Sequence, residues 1–114
     1  MAAAVRLPLT DWNWAELMLH QAMVGSISSN FRMVELAFED MKWVIRVTLR
    51  EESDEDREEI EEISDSFSVF LVDVRDVITE AAYAAIVTDV IVSGEPIYLT
   101  PQSEPRVVFR ARES

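Results

Sequence analysis

The sequence predicts an α+β fold: two helices packed on an antiparallel sheet of about four strands, in the order α-β-β-α-β-β. Apolar residues recur at spacings of three and four in two segments, as they do in an amphipathic helix. In several shorter segments they alternate with polar residues, as in a half-buried strand. A length of 114 residues, nearly half of them hydrophobic, suits a single domain over residues 1–114.

The first predicted helix covers TDWNWAELMLHQAM, residues 10–23. Thr10 or Asp11 can cap its first turn, because their side-chain oxygens accept from free backbone N–H groups. Gly25 can end the helix in a left-handed conformation. The spacing places four apolar residues on one face: Trp14, Leu17, Met18 and Ala22.

An antiparallel hairpin is predicted next. FRMVELAF (31–38) and WVIRVTLR (43–50) both alternate, and EDMK (39–42) lies between them as the turn. The second strand places Trp43, Ile45, Val47 and Leu49 on one face. One face of the hairpin should therefore be buried and the other exposed to water.

The second predicted helix begins at Ser53, which with Asp56 resembles a capping box. Its apolar stripe has helical spacing and predicts a helix to about 73–76. The segment FSVFLVDV (67–74) is also β-prone, so an extended conformation stays open there. The stripe consists of Ile60, Ile63, Phe67, Phe70, Leu71 and Val74.

The C-terminal third predicts strands. YAAIVTDVIV (83–92) is apolar on nearly both faces, which indicates a central strand. IYLT (97–100) can pair briefly, and RVVFRAR (106–112) is the last strand. Five cations could form a basic patch on the sheet, although cross-strand pairing with Glu35 and other neighbours is favoured. They are Lys42, Arg46, Arg106, Arg110 and Arg112.

The stretch EESDEDREEIEEISD (51–65) holds ten carboxylates and one arginine, so it supplies nine of the twelve net negative charges. Helical geometry places a ridge of acids opposite the apolar stripe, continued by the apolar Val69 and Val72. Arg57 is expected to relieve the repulsion chiefly toward Glu61. A solvated face and a protein-binding surface both account for the ridge, but repeated like-charge pairs at i,i+4 favour binding. The predicted partner-binding residues are Asp54, Glu55, Glu58, Glu61, Glu62, Asp65 and Val69.

The charge also limits the partners. A net charge of −12 repels nucleic acid and anionic lipid and favours a basic protein. The chain has no cysteine, no apolar run long enough to span a bilayer, and too short an apolar stretch in MAAAVRLPLT for a signal peptide. We therefore expect a cytoplasmic protein with no direct nucleic-acid or membrane partner.

Residues for catalysis are scarce. His20 is the only histidine, and two glycines cannot form a phosphate-binding loop. Residues 52–63 lack the central glycine of a calcium-binding loop. We expect no enzyme activity, no cofactor and no metal. A pocket near Trp12, Trp14 and Trp43 is the one arrangement that would suggest an enzyme or ligand binder, although aromatic residues at these spacings are more often core.

Three stretches, SSNFRMVELAFEDMKWVIRVTLREE, EEIEEISDSF and RVVFRARE, together resemble small bacterial immunity proteins encoded beside polymorphic and contact-dependent growth-inhibition toxins. The resemblance covers roughly residues 28–113. It implies that the protein binds one cognate toxin domain in the producing cell and blocks it. Such toxins are often nucleases or deaminases with basic grooves, which an acidic ridge would complement. An acidic secretion-type chaperone that holds an effector segment is the alternative.

Overall fold

The computed structural model describes residues 6–97 and 105–111. Its main elements are helix α1 (Leu9–Met23), strands β1 (Phe31–Glu39) and β2 (Lys42–Leu49), helix α2 (Asp54–Asp73), and strands β3 (Ile86–Val92) and β4 (Arg106–Arg110). A short 3-10 helix, Glu80–Ala82, precedes β3. The predicted α+β class and the order α-β-β-α-β-β are confirmed. Of IYLT, residues 98–100 lie outside the described residues.

The four strands form one mixed sheet in the order β3-β2-β1-β4. β1 and β2 pair antiparallel, with Leu36 opposite Ile45, so the predicted hairpin is confirmed. Its turn is shorter than expected, because Glu39 and Lys42 already pair and only Asp40 and Met41 lie between them. Both turn residues have positive φ, 53° and 61°. This left-handed backbone matches the twist of the flanking strands in a two-residue hairpin loop.

The expectation of an antiparallel sheet is wrong for β3, which runs parallel to β2. α2 connects the two strands and returns the chain to the end of the sheet at which β2 began, and this crossover makes neighbouring strands parallel. The prediction that β3 is central is also wrong, since it forms an edge. Val87, Ile91 and Val92 are each 40% exposed. The apolar residues on both faces of this strand therefore do not mean that both of its faces are buried.

Both helices contribute to the core on the sheet face that carries Trp43 and Ile45. The expectation that the other face of the hairpin is exposed to water is wrong for Ala37 and Val44, which are 2% and 6% exposed.

Trp43 lies fully buried in this core, and its indole N–H donates to the carbonyl oxygen of Ala82 at 2.7 Å. Trp12, Phe38 and Phe67 meet the Trp43 ring edge-on at centroid distances of 5.0–6.4 Å. Such edge-to-face contacts are favourable beyond the area that they bury.

The buried face of α1 differs partly from the predicted one. Met18 and Ala22 are buried as expected, but Leu17 is exposed and Trp14 is half-buried. The buried face also includes Asp11, whose carboxylate accepts from the backbone N–H (3.0 Å) and the hydroxyl of Thr79. Asp11 therefore holds the segment after α2 instead of capping α1. Gly25 is left-handed (φ 79°) just after α1, as predicted.

α2 continues to Asp73, so the helical interpretation of 67–74 is correct. Of its predicted stripe, Phe70 is half-buried, and the other five residues are buried against the core: Ile60, Ile63, Phe67, Leu71 and Val74. No helix within the described part of the chain combines the length and apolar character needed to cross a bilayer.

Candidate functional site

The start of α2 is fixed by side chains of the loop before β1. Ser53 caps the helix by accepting from the Asp56 N–H at 3.2 Å. Asp56 does not reach back to Ser53 as a full capping box would. Instead, Asp56 is buried, with 6% of the residue exposed, and its carboxylate accepts from the Ser28 hydroxyl (2.9 Å) and the Asn30 amide (2.8 Å). Asp56 therefore anchors α2 to the loop.

Asn30 extends this anchor to the segment between β2 and α2. Its side-chain amide donates to the Glu51 carbonyl at 2.8 Å, and its side-chain oxygen accepts from the Glu51 N–H at 2.9 Å. One asparagine thus holds the chain on both sides of the helix start. We call the group of Ser28, Asn30, Ser53 and Asp56 the α2 clamp.

The predicted partner-binding residues form what we call the acidic ridge, and the structure places all seven on the exposed outer face of α2, as the helical periodicity predicts. Val69 is 61% exposed, and the neighbouring Val72 is 43% exposed. Their role in binding stays a prediction. The ridge consists of Asp54, Glu55, Glu58, Glu61, Glu62, Asp65 and Val69.

The two flanks of the ridge face different parts of the molecule. On one flank, Glu61 accepts from the Thr88 hydroxyl of β3 at 3.0 Å. On the other, Glu55 and Glu58 line an open cleft of about 430 Å³ with the loop that follows α1. Near the C-terminal end, Asp65 and Val69 border a shallow, mainly apolar hollow of about 220 Å³. The ridge therefore offers both charge and apolar surface.

The prediction that Arg57 chiefly neutralises Glu61 is wrong. Its guanidinium forms two hydrogen bonds with Glu52, the Nη2 bond measuring 2.8 Å, while Glu61 is engaged by Thr88. The hydrogen bond from Arg57 lowers the pKa of Glu52. In the described part of the chain, no cation forms an ion pair with Glu55, Glu58, Glu62 or Asp65. The ridge keeps its negative charge.

Two of the five cations predicted for the basic patch form ion pairs among the described residues, and neither pairs with Glu35; Arg46 pairs across strands, as expected, whereas Arg106 pairs with a helix. Arg46 contacts Asp89 at 2.9 Å and Glu39 at 3.4 Å, and these partners raise its pKa. Arg106 reaches α1, where it contacts Glu16 at 2.9 Å. Arg112 lies outside the described residues. These contacts weaken the case for a basic patch.

Of the residues considered for a catalytic or ligand-binding pocket, Trp12 and Trp43 contact each other in the core. His20 is exposed on α1, 3.9 Å from Glu16, whereas Trp43 is fully buried in the core. Among the described residues, no group of three or more His, Cys, Asp or Glu side chains could hold a metal ion. Sequence reasoning missed the inward orientation of Asp11 and Asp56. Asp56 lies on the apolar side of the α2 helical wheel, four residues before Ile60, and this position was the available signal.

The fold and this surface define the class: a small, acidic α+β protein that presents an exposed ridge of carboxylates on one helix. A family model described as MafI2 immunity protein matches residues 13–113, and the chain belongs to this family. The resemblance to immunity proteins is thereby confirmed, and an immunity protein implies a cognate toxin as its partner. Immunity proteins are generally not enzymes. No curated protein matches the chain.

Proposed function

We propose that this immunity protein neutralises its cognate toxin by binding a basic surface of the toxin domain through the acidic ridge. The observation that carries the proposal is the exposed set of carboxylates on α2 for which residues 6–97 and 105–111 supply no ion-pair partner: Glu55, Glu58, Glu62 and Asp65. Membership of an immunity family supports an inhibitor rather than the secretion-type chaperone that the sequence left open. The toxin and its inhibitor would meet in the cytoplasm of the producing cell.

The charge of the ridge suits a toxin that acts on nucleic acid, such as a nuclease or deaminase. An enzyme of this kind binds phosphates through lysine and arginine side chains. Carboxylates spaced along a helix can occupy the positions of those phosphates and exclude the substrate. Complementary charge also accelerates encounter and disfavours partners of the wrong sign.

The apolar end of the ridge provides a second kind of contact. Val69 is exposed beside Asp65, next to the shallow hollow, and Val72 is exposed about one turn further along α2. Interfaces gain most of their affinity from a few well-packed, desolvated residues, while surrounding charges set specificity. We therefore propose that Val69 packs against an apolar side chain of the toxin while the carboxylates position the basic groove.

The test is the affinity for the toxin domain encoded beside this protein, purified as a catalytically inactive variant. A triple reversal, Glu58→Lys, Glu62→Lys and Asp65→Lys, changes three ridge residues that have no ion-pair partner among the described residues. We expect it to weaken binding at least about 100-fold, since each reversal replaces attraction by repulsion.

The matched control reverses three exposed acids elsewhere, Asp76→Lys, Glu80→Lys and Glu95→Lys, which gives the same change in net charge. This control should change the affinity less than about threefold once salt screens long-range attraction. Equal affinities of the two triple variants would show that the toxin does not bind the ridge.

A further inference from the structure

The two edges of the sheet differ in their protection against another strand. β4 is five residues long, has an arginine at each end, and pairs with β1 through an irregular register. β3 is seven residues long and contains neither proline nor glycine. Its only charge, Asp89, is paired with Arg46 of its own sheet. Natural edge strands are normally blunted by charges, bulges, proline or short length, so β3 is the unprotected edge.

The hydrogen bonds between β2 and β3 define which backbone groups face outward. Trp43 N–H donates to the Ala85 carbonyl at 2.9 Å, and Ser93 N–H donates to the Leu49 carbonyl at 2.9 Å. Along a strand, groups that bond to one neighbour alternate with groups that point the opposite way. The odd-numbered residues of β3 therefore bond to β2. No described residue accepts from the N–H groups of the even-numbered ones, which face the open edge: Ile86, Thr88, Val90 and Val92.

The surroundings of this edge are apolar and acidic. Val87, Ile91 and Val92 are each 40% exposed. Above the edge, Glu61 of the ridge contacts Thr88. α2 runs opposite to β3, because it joins the ends of two parallel strands, so Glu61 lies above the middle of the strand.

Charge decides which strand fits this edge. A second copy of this chain would bring the same carboxylates to the edge, and like charges placed together are unfavourable. A strand with lysine or arginine at alternate positions would instead place its cations against Glu61 and its neighbours. Strand addition of this kind gains affinity from main-chain hydrogen bonds and specificity from side chains.

We propose that the toxin domain contributes a basic, extended strand that pairs with the open edge of β3. Its backbone bonds to Thr88 and Val90, and its basic side chains reach the ridge on α2. The inference rests on the proposed function and deepens it, because it states how the backbone of the toxin is held beside the ridge.

The first experiment compares Thr88→Pro with Thr88→Val in binding the inactive toxin domain encoded beside this protein. Proline removes the outward N–H of residue 88 but no hydrogen bond to β2, and proline is tolerated on an edge strand in this orientation. Valine removes the hydroxyl that contacts Glu61 and keeps the N–H. We expect Thr88→Pro to weaken binding at least about tenfold and Thr88→Val less than about threefold. Equal affinities of a folded Thr88→Pro variant and Thr88→Val would overturn the proposal.

The second experiment measures backbone hydrogen exchange in the unmodified protein, so it tests the proposed strand pairing even if Thr88→Pro does not fold. In the complex, the amides of Thr88 and Val90 should exchange at least about tenfold more slowly than in the free protein. If their exchange is unchanged in a complex that the ridge reversal still weakens, strand pairing is wrong and the ridge proposal stands. If the toxin domain does not bind at all, both proposals are wrong.

Discussion

The α2 clamp and the acidic ridge use the same carboxylate chemistry on one helix in opposite ways. Asp56 in the clamp is almost fully buried and accepts two side-chain hydrogen bonds. Two residues later, Glu58 in the ridge is exposed and has no ion-pair partner among the described residues. The difference shows that burial and hydrogen-bond partners, not residue type, separate an acid that stabilises the fold from one available to a partner.

The largest effect on stability is expected in the clamp. Asp56→Ala removes two hydrogen bonds to a charged acceptor and leaves the Ser28 hydroxyl and the Asn30 amide without it. We expect the free energy of unfolding to fall by about 2–3 kcal/mol, measured by urea denaturation. Glu58→Ala is the matched control and should change it by no more than about 0.5 kcal/mol. A similar loss in both variants would contradict the distinction between clamp and ridge.

A smaller effect of opposite sign is expected in the ridge. Glu58 forms like-charged i,i+4 pairs with both Asp54 and Glu62, and each such pair costs roughly 0.2–0.5 kcal/mol. Replacing Glu58 and Glu62 by glutamine keeps helix propensity nearly constant and should stabilise the free protein by about 0.5–1 kcal/mol at low salt.

The same double variant should bind the toxin domain more weakly, because the ridge loses two charges. Added sodium chloride should shrink the gain in stability, since salt screens exposed charges. A gain that persists unchanged at high salt would show that it does not come from relieved repulsion.

The smallest effect concerns Glu52, which directly precedes the clamp residue Ser53. Its pKa is lowered by the hydrogen bond from Arg57, so Arg57→Gln should raise that pKa toward its ordinary value, as measured by NMR titration. A carboxyl with a lowered pKa in the folded state stabilises the protein above its unfolded-state pKa, and this contribution is lost as pH falls through the folded value. Both side chains are exposed, so no measurable change in thermal stability is expected. An unchanged Glu52 pKa in Arg57→Gln would contradict the pairing.

Local periodicity in the sequence was enough to predict much of the fold. The stripe from Ile60 to Val74 predicted α2 and the outward direction of the ridge, because both follow from one helical period. Alternation in residues 31–49 predicted the hairpin. The parallel pairing of β3 with β2 and its position at the edge were missed, since both depend on where α2 returns the chain rather than on the pattern within β3.

Individual side-chain partners were harder to predict for a similar reason. Arg57 has acids available both before it and after it along the chain, and helical spacing alone favoured Glu61. Glu61 instead contacts Thr88, which lies 27 residues away in sequence. The hydrogen bonds of Asp56 to Ser28 and Asn30 likewise join segments far apart in the chain. Such contacts are set by tertiary packing, which a single sequence does not encode locally.

The double bridge made by Asn30 has a consequence for molecular recognition. By fixing the backbone just before α2 and the first turn of the helix together, it sets the direction of the helix before any encounter. A surface that is already in its bound geometry loses little conformational entropy on association. Differences in affinity between variants of this helix should therefore arise mainly from the dissociation rate. Exchange of side chains along α2 should redirect the protein to a different toxin while the rest of the fold stays unchanged.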